Sequence, residues 1–307
     1  MDIFLLLFQN LIPLYVIIAA GYVIGKFLDV DIKSLGTLAI YVFMPIAVFG
    51  YVAKLDFKPI YIGLPILVYV TTTIMALAWR AIANRIYDDH RSVILTMCAS
   101  WGNTGYFALP LVIVLFPPEV VGVYMFMMVG GVFYEATMGY YIWMRGNLNV
   151  RDSIKKALRF PSLYAVVAGL IVNFTGLGFS DQVQTYWEYC RGTYILLGMM
   201  IIGGALSLMP RLVIAPRFIG LAFLGKFIIW PMTAYALIML DKLVLGIFDD
   251  VSHQMFFILS IVPPGANIAA FAAQLNMRPD KAATTVLIGT VLALFTVPFM
   301  LALSGLF

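Results

Sequence analysis

The chain has 307 residues, 63% of them hydrophobic and 11% charged, with a mean hydropathy of +0.99. Soluble domains carry about a quarter charged residues, so the composition excludes a soluble globular protein and leaves no room for a folded soluble domain beside the apolar runs. The net charge of +4 gives no reason to expect nucleic acid, because the basic residues sit in short loops and report orientation instead.

Apolar runs of about 17–25 residues predict ten spans, roughly 4–26, 32–53, 60–83, 91–116, 119–144, 161–179, 188–208, 214–240, 251–275 and 280–305. A β-barrel would show shorter alternating segments, so an all-α integral membrane protein is expected. The first run is too long and apolar for a cleavable signal. Span 1 reads PLYVIIAAG at 13–21 and span 6 reads PSLYAVVAG at 161–169, with Ala-Gly at the same offset from proline. The longest connection, 145–160, divides the chain into a first five-span repeat at 1–144, a cytoplasmic linker and a second repeat at 161–307. With that linker inside, 14 of the 19 Lys and Arg residues lie in inside loops; Lys54, Lys58, Arg191 and Lys242 lie outside, and Lys226 falls within a span. The bias puts both termini outside. Five spans per half then gives the halves opposite orientation, an inverted repeat.

Spans 4 and 9 are interrupted at their middles. Span 4 carries Gly102, Asn103, Thr104 and Gly105, then Pro110; span 9 carries Pro263, Pro264, Gly265 and Asn267. Glycine loosens a helix and proline removes a backbone donor. In hydrocarbon such breaks survive only where protein or a water-filled cavity satisfies the backbone. Paired interruptions in corresponding spans point to a secondary transporter's binding site; close helix packing on glycine is the structural alternative.

The stretch GNTGYFALPL in span 4, and PPGANIAAFAAQLNMRPDKAATTVLIGTVLALFTVPF in spans 9 and 10, resemble the auxin efflux carrier family, most closely its compact bacterial members, some of them malonate or other organic-anion permeases. The resemblance runs the whole length. It implies a fold related to bile-acid-type and sodium/proton-antiporter-type transporters, with two broken helices crossing at mid-membrane and the other spans forming a scaffold. It also implies that Asn103, Pro110, Pro263, Pro264 and Asn267 line the substrate site. The chain lacks the long hydrophilic central loop of the plant carriers.

Each break starts a half-helix near the bilayer centre whose first N–H groups are unpaired and carry partial positive charge. Asn103 or Thr104 can cap one, and Pro264 suits the first turn of the other. Two such ends, with the Asn103 and Asn267 amides, would suit a small organic anion such as a carboxylate. Glu135 is either a carrier of a coupling proton or a carboxyl held neutral by neighbours such as Tyr134 or Thr137. Lys226 attracts anions, pairs with Glu135 or snorkels to the interface, the last being favoured. His253 reads as interfacial, Glu188 and Arg191 as a helix-end pair, and Tyr140, Tyr141 and Trp143 as an aromatic belt. Trp101 walls a cavity or packs in the core. Cys98 and Cys190 form no metal or redox pattern and read as inert.

The expected function is therefore transport of a small organic anion across the plasma membrane by alternating access. The partners would be that anion, the lipid bilayer, protons as candidate coupling ion and a second copy of the chain in a candidate homodimer. A cation/proton exchanger of related fold is the alternative, disfavoured because the two breaks contain no Asp or Glu. An enzyme is not expected, since HExxH, paired intramembrane aspartates and a nucleophile beside histidine are all missing; neither cofactor nor metal is called for.

Overall fold

A computed structural model describes residues 2–28, 30–144, 158–207 and 213–307. The fold is all-helical among these residues, with a single isolated β-bridge. In chain order the helices are α1 (Asp2–Phe27), α2 (Ile32–Ala53), α3 (Pro59–Ile86), α4 (His90–Ser100), α5 (Thr104–Leu115), α6 (Pro118–Trp143), α7 (Pro161–Thr175), α8 (Asp181–Ser207), α9 (Pro216–Leu245), α10 (Asp250–Ile261), α11 (Ala266–Gln274) and α12 (Pro279–Ser304). Six of them, α2, α3, α6, α8, α9 and α12, are long and apolar enough to cross a membrane. Their outward faces carry large apolar side chains, among them Ile66, Ile74, Met232, Phe295 and Phe299, as contact with lipid requires. The linker at 145–160 lies outside the described residues as far as position 157, as do Arg145, Arg151, Lys155, Lys156 and Arg211 of the charge count.

Local sequence sets the helix ends. Asp31, Asp89 and Asp249 are N-caps whose carboxylates accept from Lys33, Arg91 and Ser252 N–H at 2.9–3.0 Å, satisfying donors that the first turn leaves free. Proline opens α7 and α12, where its missing N–H costs nothing.

Among the described residues five π-helical turns lie within the helices. Those at Ala39–Phe43, Thr104–Ala108 and Leu224–Ile229 run into Pro45, Pro110 and Pro231. Proline cannot donate and crowds the preceding turn, so the chain widens ahead of it. The turns at Glu135–Gly139 and Asp241–Leu245 have no such proline and begin instead at an acidic residue.

The tightest helix pairs are α1 with α8 and α2 with α7. A Cβ on Gly21 would come within 2.3 Å of the Met200 carbonyl oxygen, and one on Gly169 within 2.8 Å of the Phe49 carbonyl oxygen. These two glycines occupy the same place in the repeated proline motif. Each lets its helix touch the backbone of the second long helix of the other half, the close approach that small residues permit in a bilayer.

Candidate functional site

The interruptions of spans 4 and 9 meet. Gly102 and Pro264 form the antiparallel bridge, with Asn103 N donating to Pro263 O at 2.8 Å and Gly265 N to Trp101 O at 3.2 Å. Residues 101–103 and 262–265 are extended or nearly so, so four half-helices, α4, α5, α10 and α11, end or begin at one crossing.

Side chains from the surrounding helices donate to backbone carbonyls at the breaks. On α9, Trp230 Nε1 donates to Ser100 O at 2.8 Å and Lys226 Nζ to Ser260 O at 3.1 Å. Those residues are one turn apart, so a single helix face holds the C-terminal ends of both α4 and α10. The Tyr124 hydroxyl donates to Thr104 O at 3.0 Å and the Tyr194 hydroxyl to Gly105 O at 2.9 Å, steadying the start of α5. This is how non-helical backbone persists at membrane depth.

A cavity of about 120 Å³ lies against the crossing, and Gly102, Asn103, Thr104, Gly105, Glu135 and Asn267 line it together with Trp101, Tyr106 and Tyr194. Pro263, Pro264 and Gly265 form the other strand of the bridge and Pro110 lies farther along α5, none of them on the cavity wall. Asn103 is the N-cap of α5, as expected, its Oδ1 accepting from Tyr106 N at 3.1 Å. Its Nδ2 is buried and has no partner. Pro264 is not in the first turn of α11, because Gly265 is the N-cap and the proline is spent on the bridge.

Several side chains lie elsewhere than their sequence positions suggest. Lys226 does not snorkel: it is fully buried, hydrogen-bonded to Ser260 O, and packed where a Cβ on Gly102 would sit 3.0 Å from its Nζ. The Glu135 carboxylate accepts from Asn267 Nδ2 and contacts the Trp101 side chain, while Thr137 turns to Tyr69 and Phe133. Trp101 both lines the cavity and packs on Tyr134 at 5.1 Å. Trp143 is buried against Phe271 rather than belonging to a belt. His253 is buried too, its Nε2 2.9 Å from Asp241 Oδ2. Glu188 accepts from Gln184, and Arg191 lies over the Trp187 ring.

A second cavity of about 430 Å³, lined by Tyr41, Trp143, Arg159 and Phe271 among others, adjoins the first and shares Val132, Glu135 and Phe160 with it. Among the described residues no group of three or more His, Cys, Asp or Glu is placed to hold a metal.

A family model described as "Membrane transport protein" matches residues 6–301. The chain belongs to that family, which is the auxin efflux carrier family its crossover motifs resemble. It is 25% identical over 239 residues to an uncharacterized transporter of Methanocaldococcus jannaschii, covering 72% of this chain and 76% of that protein. It is 22% identical over 299 residues to an uncharacterized transporter of Methanothermobacter thermautotrophicus, covering 94% and 96%. Membership makes the chain a multi-pass membrane transport protein; these relatives' names give no substrate.

Proposed function

We propose that the chain is a secondary transporter that carries a small organic anion, malonate- or auxin-like in bearing a carboxylate, by alternating access at the crossing. The supporting observation is the Asn103 amide, buried, without a partner and on the wall of a cavity at the meeting point of two interrupted helices. A buried donor left unpaired is costly, and a carboxylate entering the cavity would repay that cost. The N-termini of α5 and α11 both begin at the bridge, and their partial positive charge adds to the preference for an anion.

The architecture that goes with this reading has ten spans, α4–α5 and α10–α11 each counting as one, in two inverted repeats of five with both termini outside the plasma membrane. Its support is the matched pair of glycine contacts at Gly21 and Gly169 and the lysine and arginine bias of the loops. Uptake of labelled carboxylates into proteoliposomes, with and without a pH gradient, tests the function. A cation/proton exchanger gains from one observation, the presence of Glu135 on the cavity wall; exchange of sodium or potassium for protons, with no carboxylate uptake, would replace the anion reading.

A further inference from the structure

Glu135 opens the π-turn on α6 that no proline explains, and such widened turns re-aim side chains at working sites. Here the turn sets the carboxylate on the wall of the crossing cavity, where Asn267 Nδ2 donates to it. Of the two amides expected to hold a substrate carboxylate, Asn103 has an unpartnered Nδ2 and Asn267 is already engaged by a carboxylate belonging to the protein. The cavity is about 120 Å³, and two ionised carboxylates in so small a space disfavour one another.

We propose that Glu135 is a proton-binding site that competes with the substrate for Asn267, so that each anion bound is matched by one proton taken up. This deepens the anion reading and rests on it. In the empty site the Glu135 carboxylate holds the Asn267 amide. The arriving carboxylate takes the Asn267 and Asn103 N–H groups, and Glu135, displaced, forms an O–H bond with a proton from water. That proton reaches it through the adjoining cavity of about 430 Å³, which shares Glu135 with the first. For a monocarboxylate the charge of the site is unchanged, and the coupled species is one anion with one proton.

The groups around Glu135 fit this assignment. Tyr134 and Tyr140 lie on its own helix, Trp101, Asn103 and Tyr106 at the α4–α5 crossing, Tyr41 on α2, Tyr194 on α8, Asn267 on α11 and Arg159 just before α7, while Lys226 of α9 stands behind Gly102. Among the described residues lining the two cavities Glu135 is the one carboxylate and Arg159 the one cation.

The test is binding of the monocarboxylates acetate and indole-3-acetate to purified protein between about pH 6.5 and 8.5, where these probes stay ionised. Affinity of the wild type should fall about tenfold per pH unit above the Glu135 titration, and calorimetry in two buffers of different ionisation heat should show one proton taken up per anion. Glu135→Gln should bind with a flat pH profile and take up no proton. An unchanged slope in Glu135→Gln, or no proton uptake by the wild type, overturns the inference; the second readout needs no variant to fold. Asn103→Ala separates the two levels. If it weakens binding while Glu135→Gln keeps the slope, the inference alone falls. If it binds normally, or if the wild type binds none of the probes, the crossing fails as the anion site and the inference goes with it.

Discussion

The backbone N–H of Asn103 donates to the carbonyl of Pro263 at 2.8 Å, so the interrupted middles of two helices far apart in sequence are joined directly. The residue that makes this bond also caps α5 through Oδ1 and presents an unpaired Nδ2. Asn103→Ala keeps the backbone bond and removes the other two features. Loss of a cap costs about 1 kcal/mol, which a bundle of this size survives, whereas loss of a hydrogen bond to a charged ligand costs about 1.5–3 kcal/mol. The variant should fold and bind a carboxylate roughly ten- to hundredfold more weakly, as measured by equilibrium binding beside a melting curve.

Lys226 belongs to the support of the crossing. Lys226→Met retains length and apolar packing but leaves the Ser260 carbonyl, now paired at 3.1 Å, without its donor. A buried acceptor stripped of its partner costs about 1–3 kcal/mol, so the melting temperature of the purified variant should fall. A variant as stable as the wild type would show that relief from burying the amine offsets the lost bond.

The glycine contacts give a graded prediction. Gly21→Ala places a methyl 2.3 Å from the Met200 carbonyl oxygen and Gly169→Ala one 2.8 Å from that of Phe49. Both force helices apart, at about 1–3 kcal/mol for overpacking, and Gly21→Ala should be the more damaging. Gly192→Ala, where nothing lies within 4 Å, is the control, and the order is read from thermal unfolding in detergent.

Asp249 ties the 54–58 connection to the start of α10. Its carboxylate accepts from Lys58 Nζ at 2.6 Å and from the Tyr61 hydroxyl at 2.9 Å. Burial alone would raise the carboxyl, but hydrogen bonds from Lys58, Ser252 and Tyr61 outweigh it and hold it at about 2, below the ordinary 3.8. The folded state therefore binds this proton less readily than the unfolded chain. The resulting stability is complete above about pH 4 and is lost as pH falls through about 2. Asp249→Asn should flatten that part of the stability profile, as followed by unfolding at graded acidity.

Orientation is checked by chemistry at the linker. A cysteine at Ser153, which lies outside the described residues, in a chain lacking Cys98 and Cys190, should be shielded from impermeant thiol reagents in intact cells. Labelling from outside would reverse the assignment of the loops.

The sequence made the crossing legible because the penalty for broken backbone in hydrocarbon is severe. Glycine and proline clustered together at mid-span read as a break, and Gly102, Asn103, Pro263 and Pro264 meet. The side chains that satisfy the break were not legible. Tyr124, Tyr194 and Trp230 are amphipathic rings that serve equally as packing, and nothing in a linear pattern tells which carbonyl a hydroxyl reaches. Lys226 misled for a related reason: a lysine about one helical turn pair from a span's end has stem enough to reach water, and only the tertiary fold shows its Nζ turned inward to Ser260. The widened turns were not expected from the sequence: three of them run into prolines 45, 110 and 231, and the turn at Glu135 has no proline after it.

The contacts of Gly21 with Met200 and of Gly169 with Phe49 are made by matching members of one motif, each reaching across to the opposite half. An interface made twice by equivalent residues is self-complementary, the property of a two-fold dimer. If the halves are inverted five-span repeats, as proposed above, a unit carrying one such glycine would pair with an oppositely inserted copy of itself. On the inverted-repeat reading proposed above, the two halves would form an antiparallel pair joined by one chain, one contributing Asn103 and Glu135 and the other Lys226 and Asn267.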